Sequence, residues 1–433
     1  MVSLTQNFIK YLRDKSNKIS ESILEKAKYN LLDYFVVATA GGHQNRRKWD
    51  EFLKHFPNGN TILLGLNKKT DSKTACLING YNAHALELDD GQRFAMIHLG
   101  ASIISAIESA SSENDMSLNN KLIGIIMGYE AACRMAISMQ PYHKKRGFHT
   151  AGTCGTIGAA IGVAYALKMN DNQIATVLNC AVGSSAGMLE MQEQNSQLKP
   201  YNLGRAAVDG LIAGYMGYTE FLGPNDILNG ERGYFKLFCE NANINKLTEN
   251  KEYFEIERTY LKPYAACRHC HSAIECAISL RKKIKPDEIK KIIVETYSLA
   301  IKGHNHTNIS SSEMAKLSIP YCIATAFYLG NVDLSAFNKE YLTNTAIKSL
   351  IDKVKIVENT DFSQACPNKR IAKITVVLIS NQSISEQTDF AKGEPENPIT
   401  YNELLNKATT LIGIENTKKI CEVLKLNAHL ERN

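Results

Sequence analysis

The sequence predicts a mainly α protein, with a large all-helical domain and a smaller α+β lid domain. Three observations predict it. Apolar residues recur at helical spacing through most of residues 1–240. Alternation of polar and β-branched residues begins only after Pro286. The tail from Pro398 onward returns to helical spacing.

Taken in order, the segment SESILEKAKYNLLDYFVVATAGG carries an apolar stripe and stops at Gly41-Gly42. DSKTACLINGYNAHALEL, HLGASIISAIESASS and NNKLIGIIMGYEAACRMAIS have the same character. Ala, Gly and Ser fill many apolar positions, so close helix crossings are expected. GFHTAGTCGTIG leads into the Ala-rich run AAIGVAYAL, where a helix is expected to start. After Pro286, IKKIIVETYS, DKVKIVEN and RIAKITVVLIS read as strands, with a turn at Asn381-Gln382 before SISEQTDF. SSEMAKLSIPYCIATAFYLG between them reads as helix. The expected limits are 1–257 with 392–433 for the helical domain and 258–391 for the lid.

Composition excludes several classes. The 433 residues are 44% hydrophobic and 22% charged, which is enough for a large core. A net charge of +6 is spread over 50 basic and 44 acidic residues. The clusters RKKIK and HKKR lack interleaved aromatics, so they read as solvated surface and no nucleic-acid partner is expected. The N-terminus MVSLTQNFIKYLRDK has no long apolar run, so neither a secretory signal nor a membrane partner is expected. Eleven scattered cysteines in apolar contexts suit free thiols in a cytoplasmic, reducing setting.

Four polar clusters interrupt this apolar chain. His84, Glu87, Asp89, Asp90, Arg93 and His98 crowd one stretch. Carboxylates beside an imidazole favour its protonated form and fix its tautomer. His149 sits among small residues in GFHTAGTCGTIG. Lys199 and Arg205 flank the neutral run of SQLKPYNLGRAAVDG. LKPYAACRHCHSAIE brings Lys262, Arg268, His269 and His271. Cys267 and Cys270 have the spacing of half a zinc site, but no second pair matches them. GTCGTIG lacks the preceding strand and the following acid of a dinucleotide fold. What remains suits an anionic substrate and proton transfer, with cations holding carboxylates and a base taking an adjacent proton.

At these clusters the chain resembles the MmgE/PrpD family, whose members include dehydratases, decarboxylases and epimerases of small carboxylates. HALELDDGQRFAMIHLGA, GFHTAGTCGTIGAA, QLKPYNLGRAA, GERGYF, LKPYAACRHCHSAIE, KLSIPYCIATA and KGEPENPIT carry the resemblance over nearly the whole chain. It implies a helical domain with an α+β lid, a homodimer, and chemistry without metal or organic cofactor. By resemblance, His98, His149, Lys199, Lys262 and Tyr321 are the candidate catalytic residues. Glu87, Asp89 and Asp90 match the family's acidic positions. With Arg93, Arg205, Arg268 and His271 they form the candidate substrate-binding set. HLGAS looks more like the decarboxylase and epimerase branches than the dehydratase branch. The expected function is a cofactor-independent lyase, of dehydratase or decarboxylase type, acting beside a carboxylate of a small di- or tricarboxylate. The alternatives are an epimerase of a small dicarboxylate and a non-catalytic carboxylate-binding protein on the same scaffold.

Overall fold

A computed structural model of the chain describes residues 3–193 and 196–428. Helices take 58% of it and strands 9%, so the expected mainly α class is observed. The chain divides into two compact units. The first comprises Met1–Ala85, Asp89–Tyr260 and Thr400–Asn433; the second comprises Leu86–Leu88 and Leu261–Ile399. Each is described by itself.

At the centre of the first unit lies the helix Thr150–Ala166, every residue of which is buried. Its sequence is apolar or small on all faces, and such a helix must be surrounded. Leu118–Ile137, Tyr201–Met216 and Gly100–Ser111 pack around it. The small residues act where helices cross. A Cβ on Gly158 would lie 2.7 Å from the Gly128 carbonyl oxygen, and one on Gly128 the same distance from that of Gly158. Only glycine lets these two backbones touch.

Ser72–Ala85 and the long helix Glu21–Phe52 build outward from this core. The tail helix Tyr401–Ile412 opens on a capping box of Thr400 and Glu403 and packs on Glu21–Phe52. There Lys407 Nζ meets buried Asp33 Oδ1 at 2.5 Å. Two short pairings escaped the sequence reading: Thr61–Leu63 with Lys68–Thr70, and Gly91–Gln92 with Thr259–Tyr260. Two or three residues are too few to show a period of two. Among the described residues no helix is long and apolar enough to cross a membrane.

The second unit is built on a four-stranded sheet, ordered Val354–Glu358, Ile289–Thr296, Ala372–Leu378, Ser383–Thr388. The first pair is parallel and the others antiparallel, with Val294 opposite both Ile356 and Ile374. Ile292, Val294, Ile374 and Val376 are buried, as the alternation predicts. His271–Arg281 packs on the last two strands, and Ile319–Leu329 packs on that helix. The stretch 311–330, expected to be helical throughout, holds two helices, Ser312–Lys316 and Ile319–Leu329. Ser318 caps the second by accepting from the Tyr321 amide, and Pro320 suits the first turn, where no amide donor is needed. All eleven cysteines are free thiols.

Candidate active site

In the first unit, the loop Asp89–Leu99 leads into the helix Gly100–Ser111. Met96 holds a left-handed φ of 51°, a conformation costly for a side-chain-bearing residue. At Gly91 a Cβ would meet the Tyr260 hydroxyl at 2.4 Å, so the loop closes only on glycine. Asp90 anchors this shape. Its Oδ1 accepts from the Gly100 amide at 2.9 Å, and its Oδ2 accepts from Tyr129 at 2.6 Å and Asn30 at 2.9 Å. Asp90, a candidate substrate-binding residue, ties the loop to two helices and caps a third.

Its neighbour Asp89 is used differently. Asp89 Oδ2 lies 2.9 Å from His84 Nδ1 and 3.3 Å from His98 Nδ1. His98 Nδ1 is also 2.8 Å from the Asp90 carbonyl oxygen. A carbonyl only accepts, so Nδ1 carries the proton and Nε2 is the basic nitrogen of the neutral ring. Burial pushes the Asp89 carboxyl up, but His84 and His98 outweigh it and hold it well below the usual carboxylate range. Asp89 is therefore an anion that fixes the His98 tautomer and stabilises its imidazolium once Nε2 takes a proton, the logic of a catalytic triad. The His98 side chain is 17% exposed, whereas His84 is fully enclosed and packs edge-on against it at 4.6 Å.

His84, Asp89 and His98 also supply metal-donor types, with one donor atom each within 4.8 Å of the others. Their arrangement is that of a proton network. Both Nδ1 atoms point at one carboxylate oxygen, and a protonated Nδ1 has no lone pair for a cation.

His149 precedes the central helix at its N-cap position and is 8% exposed. Its Nδ1 lies 3.0 Å from Asn202 Nδ2, which also donates to the Met188 carbonyl at 3.2 Å. That second bond fixes the Asn202 amide, so His149 Nδ1 accepts and the ring proton sits on Nε2. His98 and His149 thus carry opposite tautomers, one suited to take a proton and one to give it. Asn202, which sets the second, lies inside the noted QLKPYNLG motif but was not singled out.

Other residues expected at the first unit's site are placed otherwise. Arg205 pairs with Asp209 and donates to the carbonyls of Ser184, Gly152 and Ala186. It fastens the 184–187 turn to the central helix. Arg93 is buried, with its guanidinium 4.8 Å from the Phe94 ring centre. Lys199 is half-buried, one residue before Pro200. A cleft of about 370 Å³ in this unit is lined by Lys10, Lys15 and Lys18 among others, and by none of the residues selected from sequence.

In the second unit, Lys262 is wholly buried and donates to the Glu87 backbone carbonyl at 3.0 Å and its carboxylate at 3.2 Å. Glu87 holds a left-handed φ of 54°, strain of the kind that collects at functional loops. Lys316, not selected from sequence, is 3% exposed. Burial pushes its amine down to about 8, with Glu87 and Glu313 opposing the shift.

Arg268 and His271 were expected to bind substrate, and Tyr321 to be catalytic. Arg268 donates to Glu394 at 3.0 Å, to His271 Nδ1 at 2.9 Å and to the carbonyls of Lys392 and Ala391. His271 Nε2 donates to the Ala266 carbonyl at 3.1 Å, so both its nitrogens are engaged. Burial, then Arg268 and Lys262, hold this imidazole well below its ordinary value, and it is neutral. The Tyr321 hydroxyl donates to the Ala336 carbonyl at 2.7 Å inside the core. All three side chains are hydrogen-bonded within the second unit.

Comparison with known proteins agrees with the resemblance. The MmgE/PrpD N-terminal domain model matches residues 7–247 and the C-terminal domain model matches residues 264–425. A cis-aconitate decarboxylase-like protein of Aspergillus oryzae is 22% identical, covering 94% of this chain and 90% of its own length. The cis-aconitate decarboxylase of Mus musculus is 21% identical over 94% of this chain and 86% of its own. That of Homo sapiens is 22% identical over 82% of this chain and 77% of its own. With both domain models matched along nearly its whole length, the chain belongs to the MmgE/PrpD family.

Proposed function

We propose that the chain is a cofactor-independent lyase acting on a small di- or tricarboxylate, with decarboxylation as its reaction. The observation that carries this reading is the Asp89-oriented His98, with His149 in the opposite tautomer. Relatives named cis-aconitate decarboxylase support the choice of reaction. As carbon dioxide leaves, the bonding electron pair stays on carbon and must be met by a proton. His149 Nε2–H is suited to deliver it, to the carbon that loses carbon dioxide or, where the double bond shifts, to the allylic carbon, and His98 Nε2 is suited to take the proton of the departing group when that group binds as the carboxylic acid. General acid and base groups of this kind contribute about 10²–10⁴-fold each. Lys199 supplies positive charge for a substrate carboxylate in the first unit.

A base and an acid held in opposite tautomers also suit epimerisation, in which a proton leaves one face and returns on the other. The test covers both reactions. The protein is incubated with cis-aconitate and a panel of small di- and tricarboxylates in heavy water. Carbon dioxide release supports the lyase. Deuterium entering at the α-carbon with the carbon skeleton intact supports the epimerase. Binding without either supports a carboxylate-binding protein and removes the enzyme reading.

We infer a homodimer, supported by the exposed apolar side chains Ile212, Tyr218, Phe221 and Leu222 within one short stretch. We infer a cytoplasmic location, supported by eleven free thiols. Light scattering and fractionation test these two.

A further inference from the structure

The stretch CRHC has the spacing of half a zinc site and lies within the second unit. Among the described residues neither Cys267 nor Cys270 falls in a group of three donors close enough to share a metal ion. Both are free thiols, Cys267 half-buried and Cys270 buried. The chain between them is one 3-10 turn, Arg268–Cys270, in which the Cys270 amide donates to the Cys267 carbonyl at 2.8 Å. A turn closed by such a bond keeps its two end Cα atoms within about 7 Å, a separation a disulfide can span. The Cys267 amide donates to the Lys316 carbonyl at 2.8 Å and anchors the turn.

Cys267 also has a base beside it. Its Sγ lies 3.2 Å from His304 Nε2. The His304 carbonyl accepts from the Ile319 amide at 2.9 Å, which ties the loop carrying the imidazole to the helix Ile319–Leu329. An imidazole in this position can take the thiol proton and leave a thiolate, the nucleophilic form of cysteine. The turn runs straight into His271–Arg281, whose N-terminal partial positive charge favours the same anion. Cys270 is the opposite case. Hydrogen bonding with Cys322 and then burial hold its thiol well above the ordinary value, so it keeps its proton.

We propose that Cys267 is an oxidation site, at which a hydroperoxide reacts and Cys270 then closes a disulfide. This goes beyond the lyase reading and does not depend on it. The Cys267 sulfur attacks the terminal peroxide oxygen and the O–O bond breaks. The departing oxygen takes the proton held by His304 and leaves as an alcohol or water. Cys267 is then a sulfenic acid. The Cys270 sulfur attacks it, the S–S bond forms, and the hydroxyl leaves as water with the Cys270 proton. The two sulfurs are oxidised and the peroxide is reduced.

The test treats the reduced full chain with hydrogen peroxide at pH 7, followed by alkylation and peptide mapping by mass spectrometry. The Cys267–Cys270 disulfide should form ahead of any other thiol oxidation and be reversed by dithiothreitol. In Cys270→Ser, dimedone should instead trap a sulfenic acid on Cys267. In His304→Gln, iodoacetamide should label Cys267 about 10-fold more slowly than in the wild type, the loss expected when a near-neutral thiol returns to its ordinary value. Earlier oxidation of other cysteines, a Cys270–Cys322 disulfide formed equally fast in Cys267→Ser, or wild-type labelling in His304→Gln would each overturn the assignment. Should His304→Gln fail to melt cooperatively, the wild-type map and the dimedone result decide.

Discussion

His98 in the first unit and His271 in the second each sit beside a charged partner, yet the partners differ in sign. His98 has Asp89 within 3.3 Å and keeps part of its ring open to the surface. His271 has Arg268 Nη1 within 2.9 Å and is fully enclosed. A carboxylate steadies the imidazolium that forms when the ring takes a proton; a guanidinium opposes it. One ring is thus fitted to carry a proton and the other to stay neutral and brace the loop around it. Residue type alone marked both as site residues, and the neighbour's charge separates them.

The largest expected effect tests that separation directly. His98→Gln should lower turnover on the true substrate by about 10²–10⁴-fold while circular dichroism and melting temperature stay near wild type. His271→Gln should do the reverse, lowering melting temperature while turnover per folded molecule stays close to wild type. Equal losses of turnover in the two variants would remove the contrast. Asp89→Asn ranks next. An amide can still accept from the His98 ring but gives no charge to the imidazolium, so turnover should fall on the order of 10²-fold with the Michaelis constant little changed.

How much of this was legible in the sequence follows from the range of the forces involved. Helices and strands showed because hydrophobic periodicity is local. The Thr61–Leu63 pairing did not show, because three residues carry no period. The His98 cluster was legible because His84, Asp89 and His98 lie close in sequence. The partners of Arg205 and Arg268 were not legible because they are chiefly backbone carbonyls, which no side-chain pattern reveals. The partner of Tyr321, the Ala336 carbonyl, was hidden for the same reason. Lys316 opened the KLSIPY motif and still went unselected. Its signal was a lysine beside an apolar helix start, which becomes informative only once its burial is known.

A smaller effect sharpens the second half of the comparison. Arg268 and Glu394 have side chains 4% and 3% exposed, so removing one takes a charge partner of the other out of a buried ion pair. Arg268→Met should cost about 3–5 kcal/mol of stability, measured by urea unfolding. Adding Glu394→Gln should restore part of that loss, since the pair acts as a unit. If the double variant is less stable than Arg268→Met alone, the guanidinium matters mainly to the Lys392 and Ala391 carbonyls instead.

The smallest expected effect lies in the pH dependence of stability. His271 has a folded value held well below 6.5, so the unfolded chain takes up its proton first as pH falls. Its contribution is complete above about pH 6.5 and drains as pH drops from there toward the depressed folded value. Asp89 is also depressed, but from the carboxylate range. Its contribution is intact above about pH 4 and is lost only in stronger acid. Between pH 7 and 5, His271 therefore titrates and Asp89 does not. The stability gap between wild type and His271→Gln should narrow across that window by up to about 1.4 kcal/mol per pH unit. Gln cannot take up a proton, so the other histidines cancel in the difference. Parallel curves for the two proteins would mean that His271 holds its proton equally in both states, and that the guanidinium beside it does not keep the ring neutral.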